Sequence, residues 1–174
     1  MISSNNLMLY LIRHGETAWS VSGQHTGRTD IPLTGNGEEQ ARKLSKLLPG
    51  IKFKQVLTSP LQRAKQTCAL AGLAKASEIE ADLIEWNYGD YEGRNSADIL
   101  QERPDWLIER LRMLDGNIAL FTHGQFGGVL AVRWIGLPLA EAQHFPLNTA
   151  SPCILGYDQH HPETAVIRAW NAIL

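Results

Sequence analysis

The sequence predicts an α/β fold, three α/β/α layers around a mostly parallel sheet flanked by helices. Two observations carry that expectation. Short apolar runs alternate with amphipathic segments along the chain, and the most apolar run, Met8-Leu9-Tyr10-Leu11-Ile12, is continuous rather than alternating. A strand covered on both faces has that character, and parallel sheets are built of such strands. A third observation is where the chemistry sits: Arg13-His14, Ser59 with Arg63, and Thr122-His123-Gly124 each follow an apolar run directly. In open α/β sheets the ligand site lies beyond the carboxyl ends of the strands.

The elements follow in order. After the first strand, residues 13–33 read as a long loop rich in Gly, Ser and Thr. Glu38 to Leu48 places Ala41, Leu44 and Leu48 on one helical face, with Thr34 as cap and Pro49-Gly50 as stop. Gln55 to Thr58 is a second strand, and Pro60 opens a helix running to about Leu73. Residues 78–84 are extended and Glu85 to Asn95 form a loop. Pro104 opens a helix through Met113, and Asn117 to Phe121 is the third buried strand. Phe126 to Ile135 is a helix ended by Gly136 and Pro138. Cys153 to Tyr157 and Ala165 to Ile167 are strands joined by a turn near His160-His161-Pro162.

Composition narrows the function classes. The 174 residues predict a single domain, 1–174, large enough to need no disulfide or metal staple. Sixteen Lys and Arg against eighteen Asp and Glu give a net charge of −2, with no bulk attraction to nucleic acid or anionic membranes. No stretch approaches a membrane span, and the start of the chain lacks the cationic region of a signal peptide. Cys68 and Cys153 read as core thiols rather than nucleophiles, and two cysteines make no disulfide framework. A cytoplasmic protein without a nucleic-acid or membrane partner is the expectation. Neither cysteine opens a Cys-x5-Arg phosphate loop, and the chain has no Gly-x4-Gly-Lys-Ser/Thr.

Three strand ends deliver two histidines and two arginines to one edge. Guanidinium groups match phosphate oxygens with planar forks and repel a dication, so the edge suits an oxyanion better than a metal. Gly15 and Gly124, each following a histidine, let backbone N–H groups come close to an anion, and a helix is expected after each. Neutral imidazole is a competent nucleophile near pH 7. Its leaving group needs a proton, and Glu85 and Asp90 lie in the glycine-containing loop that could supply a carboxyl group. Beside a phosphate dianion, like charge pushes such a carboxyl toward its protonated form.

These residues also carry a resemblance. Leu11-Ile12-Arg13-His14-Gly15-Glu16-Thr17, Thr58-Ser59-Pro60-Leu61-Gln62-Arg63-Ala64, Leu83-Ile84-Glu85-Trp86-Asn87-Tyr88-Gly89 and Phe121-Thr122-His123-Gly124 occur in the order found in the histidine phosphatase superfamily, branch 1, of phosphoglycerate-mutase-like fold. The stretch Gly23 to Thr34 resembles members that dephosphorylate sugar phosphates, notably sedoheptulose bisphosphatases.

The resemblance implies a metal-independent phosphomonoesterase without cofactor, acting on a small phosphorylated metabolite, as a monomer or homodimer. It implies His14 as the nucleophile, Arg13, Arg63 and His123 as the phosphoryl clamp, and Glu85 as the acid and then the base. Ser20, Thr26, Gly27 and Gly124 fall where the family contacts phosphate or substrate. The region around 94–110 is shorter than in relatives, where a lid-forming stretch is expected, and Gly128 stands where many have Arg. Two alternatives remain open. One is a mutase that grips a second phosphate, for which Arg28, Arg94 and Arg103 are the candidate cations. The other is a non-catalytic phospho-ligand binding protein.

Overall fold

The computed structural model describes residues 6–48, 50–86, 108 and 111–172. Among them, six strands form one sheet: β1 (Met8–Arg13), β2 (Phe53–Thr58), β3 (Ser77–Ile79), β4 (Asn117–Thr122), β5 (Pro152–Tyr157) and β6 (Ala165–Ala169). Their spatial order is β3-β2-β4-β1-β5-β6. The first four in that order are mutually parallel, and β5 runs antiparallel to both β1 and β6. The expected α/β/α architecture is the observed one.

The interior strands separate two cores by simple alternation. Leu9, Leu11, Ile118 and Leu120 face a cluster completed by Leu130, Ala131 and Trp134 of α4 (Gly124–Trp134). The intervening Ile12, Ala119 and Phe121 face the opposite cluster, with Leu44 of α2 (Gly35–Leu47) and Cys68 of α3 (Gln62–Leu70). α2 forms as expected: the Thr34 hydroxyl accepts the Gly37 N–H, capping the helix, and Ala41 and Leu44 are its buried stripe. Cys68 and Cys153 are free and buried.

Several boundaries differ from expectation, for local reasons. The 13–33 segment contains a short helix, α1 (Ala18–Ser22), closed by a reciprocal capping box between Thr17 and Ser20 and ended by Gly23 at φ 76°. Its five residues bury nothing, so no apolar periodicity announces it. Pro60 lies two residues ahead of α3, which stops at Leu70, before Gly72 at φ 85°. The expected extended run 78–84 is split into β3 and a 3-10 turn, Ala81–Leu83. α4 begins two residues early, at Gly124. Of the helix expected from Pro104, only Ile108 and residues from Leu111 onward are described; Ile108, Leu111 and Arg112 are helical. The region 94–110 expected to be shortened, with Arg94 and Arg103, otherwise lies outside the described residues, as do Asp90 and the rest of the 87–95 loop.

Candidate active site

β1, β2 and β4 lie side by side, so their carboxyl ends bring together residues distant in sequence. There a pocket of about 290 Å³ opens, lined among others by Arg13, His14, Arg63, Glu85 and Gly124. His14 is buried directly after β1, and its Nδ1 lies 2.7 Å from its neighbour's carbonyl, Gly15 O. A carbonyl only accepts, so this contact puts the ring proton on Nδ1 and leaves Nε2 with its lone pair. Burial, then the Arg13 and Arg63 charges, push the His14 pKa down to about 3, so the ring is neutral across the physiological range.

The arginines are held by backbone carbonyls. Arg13 Nη1 donates to Leu147 O at 2.6 Å. Arg63, fully buried in the first turn of α3, donates through Nη1 to Thr29 O at 2.9 Å and through Nη2 to Gly27 O at 2.7 Å. A carbonyl fixes a guanidinium without cancelling its charge, so these contacts orient positive charge rather than neutralise it.

Glu85 lies under the start of α4. Its Oε1 accepts the N–H groups of Trp86 (3.2 Å) and Phe126 (3.0 Å), and Oε2 accepts that of Gln125 (3.3 Å). The positive end of a helix is thus turned toward a carboxylate of the protein itself. Burial nevertheless outweighs these hydrogen bonds and the arginine charges and raises the Glu85 pKa above the usual carboxylate range.

His123 is fully buried behind the pocket, its ring centroid 5.3 Å from that of His14. Its Nε2 pairs with Ser59 Oγ at 2.7 Å. Burial and the neighbouring positive charges lower its pKa well below the ordinary histidine value.

The structure thus gathers His14, Glu85, His123, Arg13 and Arg63, and sorts the smaller sites. Thr26 and Ser20 line the pocket, but the Ser20 hydroxyl is engaged in the α1 cap, donating to Thr17 O at 2.9 Å. Gly15 and Gly27 stand behind the pocket wall. The Gly15 N–H donates to the Thr67 hydroxyl at 2.9 Å, and the Gly27 carbonyl holds Arg63. Gly15 has a packing reason to be glycine: a Cβ there would lie 2.4 Å from Gly37 O. The helix expected just after Gly15 starts only at Ala18, in α1. Gly124 packs on Arg13, where a Cβ would meet Nε at 3.1 Å. Gly128 is likewise a close-approach position, 3.1 Å from the carbonyls of Ala142 and Phe145 for a Cβ.

Sequence reasoning passed over Thr67, the link between Ser59 and His123, and the outer wall formed by Ala142, Gln143, Phe145, Pro146 and Leu147. That wall hangs from a 3-10 turn, Leu139–His144, which has no apolar periodicity of its own. Among the described residues, no cluster of three or more His, Cys, Asp or Glu could hold a metal ion, and no helix is long and apolar enough to cross a membrane.

Comparison with known proteins agrees with this geometry. The family model of the histidine phosphatase superfamily (branch 1) matches residues 9–116 and 108–172. The chain belongs to that superfamily. Among relatives of this histidine phosphatase, an acid phosphatase of Mycobacterium tuberculosis is 35% identical over 93% of this chain and 92% of its own. The adenosylcobalamin/α-ribazole phosphatase of Escherichia coli is 32% identical over 82% of this chain and 86% of its own. The structure of an α-ribazole-5'-P phosphatase from Escherichia coli superposes with a TM-score of 0.80 at 30% identity, covering 97% of each chain. The protein is thus an enzyme of a family whose members act on varied phosphate substrates, with the fold of its phosphoglycerate-mutase-like relatives.

Proposed function

We propose that this histidine phosphatase is a metal-independent phosphomonoesterase that hydrolyses a small phosphorylated metabolite, such as a sugar phosphate, through a phosphohistidine on His14. The observation that carries the proposal is the state of His14, neutral through burial and the arginine charges, with Nδ1 committed to Gly15 O. Nε2 attacks phosphorus as the ester P–O bond breaks. Arg13 and Arg63 stabilise the charge on the transferring group, which spares the reaction a divalent cation. Glu85, raised by burial, gives its proton to the leaving oxygen. Its Oε1 is occupied by two N–H donors, so Oε2, with the single longer contact, is the oxygen to carry that proton. The resulting carboxylate then takes a proton from water. The hydroxide attacks phosphorus, the P–N bond breaks, inorganic phosphate leaves and Glu85 is again protonated.

For the substrate class, a sedoheptulose 1,7-bisphosphatase of Saccharomyces cerevisiae is 38% identical over 59% of this chain and 43% of its own. A mutase would need a grip on a second phosphate. Arg28, the described candidate, is exposed and does not line the pocket, which favours hydrolysis.

The test is phosphate release from an aryl phosphate in the presence of a metal chelator, with acid-labile, base-stable phosphate trapped on the protein during turnover. Turnover that survives the chelator, and label lost in His14→Ala, support the proposal. Turnover retained by His14→Ala overturns it.

A further inference from the structure

His123 is fully buried with its ring 5.3 Å from that of His14, and what that ring can donate or accept depends on one proton. Nε2 meets Ser59 Oγ at 2.7 Å, and Nδ1 is buried with no hydrogen-bond partner among the described residues. Ser59 is itself fully buried, and its Oγ also accepts the Leu61 N–H at 3.3 Å.

If Nε2 carried the proton, it would donate to Ser59 Oγ. The serine hydroxyl hydrogen would then have no acceptor among its described contacts, and the buried Nδ1 lone pair would have no donor. If Nε2 is the acceptor, the Ser59 hydroxyl donates to it, Leu61 N–H is satisfied by the same oxygen, and one group is left over: an Nδ1–H donor. An unsatisfied buried donor costs about 1–3 kcal/mol, a cost removed when an acceptor arrives. An incoming phosphoryl group is such an acceptor.

We infer that Ser59 is a positioning residue that locks His123 in the Nδ1–H tautomer, so that His123 serves a bound phosphoryl group as a neutral N–H donor rather than as a cation. Arg13 and Arg63 already provide the fixed charge, and a third cation between them would be costly to form in a buried site. The strand end explains why serine does this. Ser59 follows β2 directly, its N–H is bonded to Phe121 O at 2.9 Å, and β2 and β4 pair up to Thr58 and Phe121. The serine and the histidine two residues after Phe121 are therefore fixed by the same sheet register.

This inference rests on the phosphoryl-transfer proposal for its purpose, but its test does not depend on turnover. The ring nitrogens of ¹⁵N-histidine-labelled resting enzyme distinguish protonated from unprotonated positions by chemical shift, with His123 assigned by its absence in His123→Gln. The expected result at pH 7.5 is a protonated Nδ1 and an unprotonated Nε2. A protonated Nε2, or an imidazolium, overturns the inference. Ser59→Ala is expected to move the ring toward the Nε2–H form and to lower kcat on an aryl phosphate roughly 10-fold. Ser59→Thr, which keeps the hydroxyl, should restore the wild-type ring signature. Ser59→Ala with an unchanged tautomer shows that serine is not the lock. Failure to trap phosphate on His14 would sink the phosphohistidine mechanism and leave the tautomer result standing.

Discussion

The inner and outer walls of the pocket are made in opposite ways. The inner wall comes from the ends of β1, β2 and β4. Its groups are buried, and each one's freedom is removed by a hydrogen bond to the backbone or to a buried hydroxyl: His14 to Gly15, Arg63 to Gly27 and Thr29, His123 to Ser59. The outer wall, formed by Ala142, Gln143, Phe145, Pro146 and Leu147, is mostly apolar. It is fastened from behind by the last turn of the chain. The Trp170 indole N–H and the Asn171 amide both donate to Pro146 O, at 3.0 and 2.9 Å. On the proposed mechanism the inner wall acts on the phosphoryl group, and the outer wall meets whatever that group is attached to. Changes to the inner wall should therefore act on kcat, and changes to the outer wall on KM and substrate preference.

The largest effect should come from His14, the proposed nucleophile. His14→Ala is expected to lower kcat roughly 10⁴-fold or more, with substrate affinity largely kept because both arginines remain. Equilibrium binding of a non-hydrolysable phosphonate to the variant checks the second half. Loss of binding together with turnover would break the division of labour between the walls.

Glu85 comes next. A carboxyl whose folded pKa is raised contributes stability that is fully present below its unfolded value and is lost as pH rises through the folded value. Glu85→Gln removes that loss. The variant should therefore be more stable than wild type at pH 8, by about 2–4 °C in Tm for each kcal/mol regained, while its kcat falls roughly 10²-fold. His14 behaves oppositely. Its folded pKa of about 3 lies below the unfolded value of 6.5, so it withdraws stability progressively as pH falls from 6.5 toward 3. The same shift keeps the proposed nucleophile neutral in acid. The acid limb of kcat/KM should accordingly fall well below pH 6.5, and a limb at 6.5 that tracks an ordinary histidine would refute the electrostatic account.

Much of the inner wall was legible because its residues abut strand ends, where a short apolar run followed by Arg-His or Thr-His-Gly marks both element and site. Arg63 was legible from its place in the first turn after β2. The functions of neighbouring groups were not, because they depend on which hydrogen bonds close across the sheet. Gly15 looks like an anion contact until Thr67, 52 residues on, takes its N–H. The α4 N-terminus looks available to substrate until Glu85, 40 residues upstream, comes to rest beneath it. The outer wall carried no signal at all, since a 3-10 turn packed on Gly128 shows neither helical nor strand periodicity.

Gly124→Ala probes the seam between sequence and space. Its Cβ would press on Arg13 Nε at 3.1 Å and Cζ at 3.2 Å, so the guanidinium must move by a few tenths of an ångström. That displacement strains the Arg13 bond to Leu147 O, which joins inner wall to outer. The expected result is a fall of roughly 10-fold in kcat/KM, with thermal stability changed by no more than about 1 kcal/mol. A variant with wild-type kinetics would mean that Arg13 has room to spare and that glycine here serves only the turn.

The smallest effect tests the outer wall from its far side. Asn171 sits at φ 49°, donates Nδ2 to Pro146 O, and accepts the Asn148 N–H through Oδ1 at 2.8 Å. Asn171→Gly keeps the left-handed backbone free of strain and removes these two bonds together with the long contact from Cys153 Sγ to Oδ1; Asn171→Ala removes the same contacts and adds strain. If the asparagine matters as a tether for the 145–148 segment, both variants should raise KM for the preferred substrate by about 2- to 5-fold, at a cost near that of one or two exposed hydrogen bonds. Turnover of a small aryl phosphate, which needs little of the outer wall, should hardly change. If the asparagine matters only for its backbone angle, glycine should be silent and alanine alone should show an effect, in stability rather than in KM. A drop in kcat for both variants would carry the disturbance through Leu147 to Arg13, and would show that the outer wall also holds the phosphoryl clamp in place.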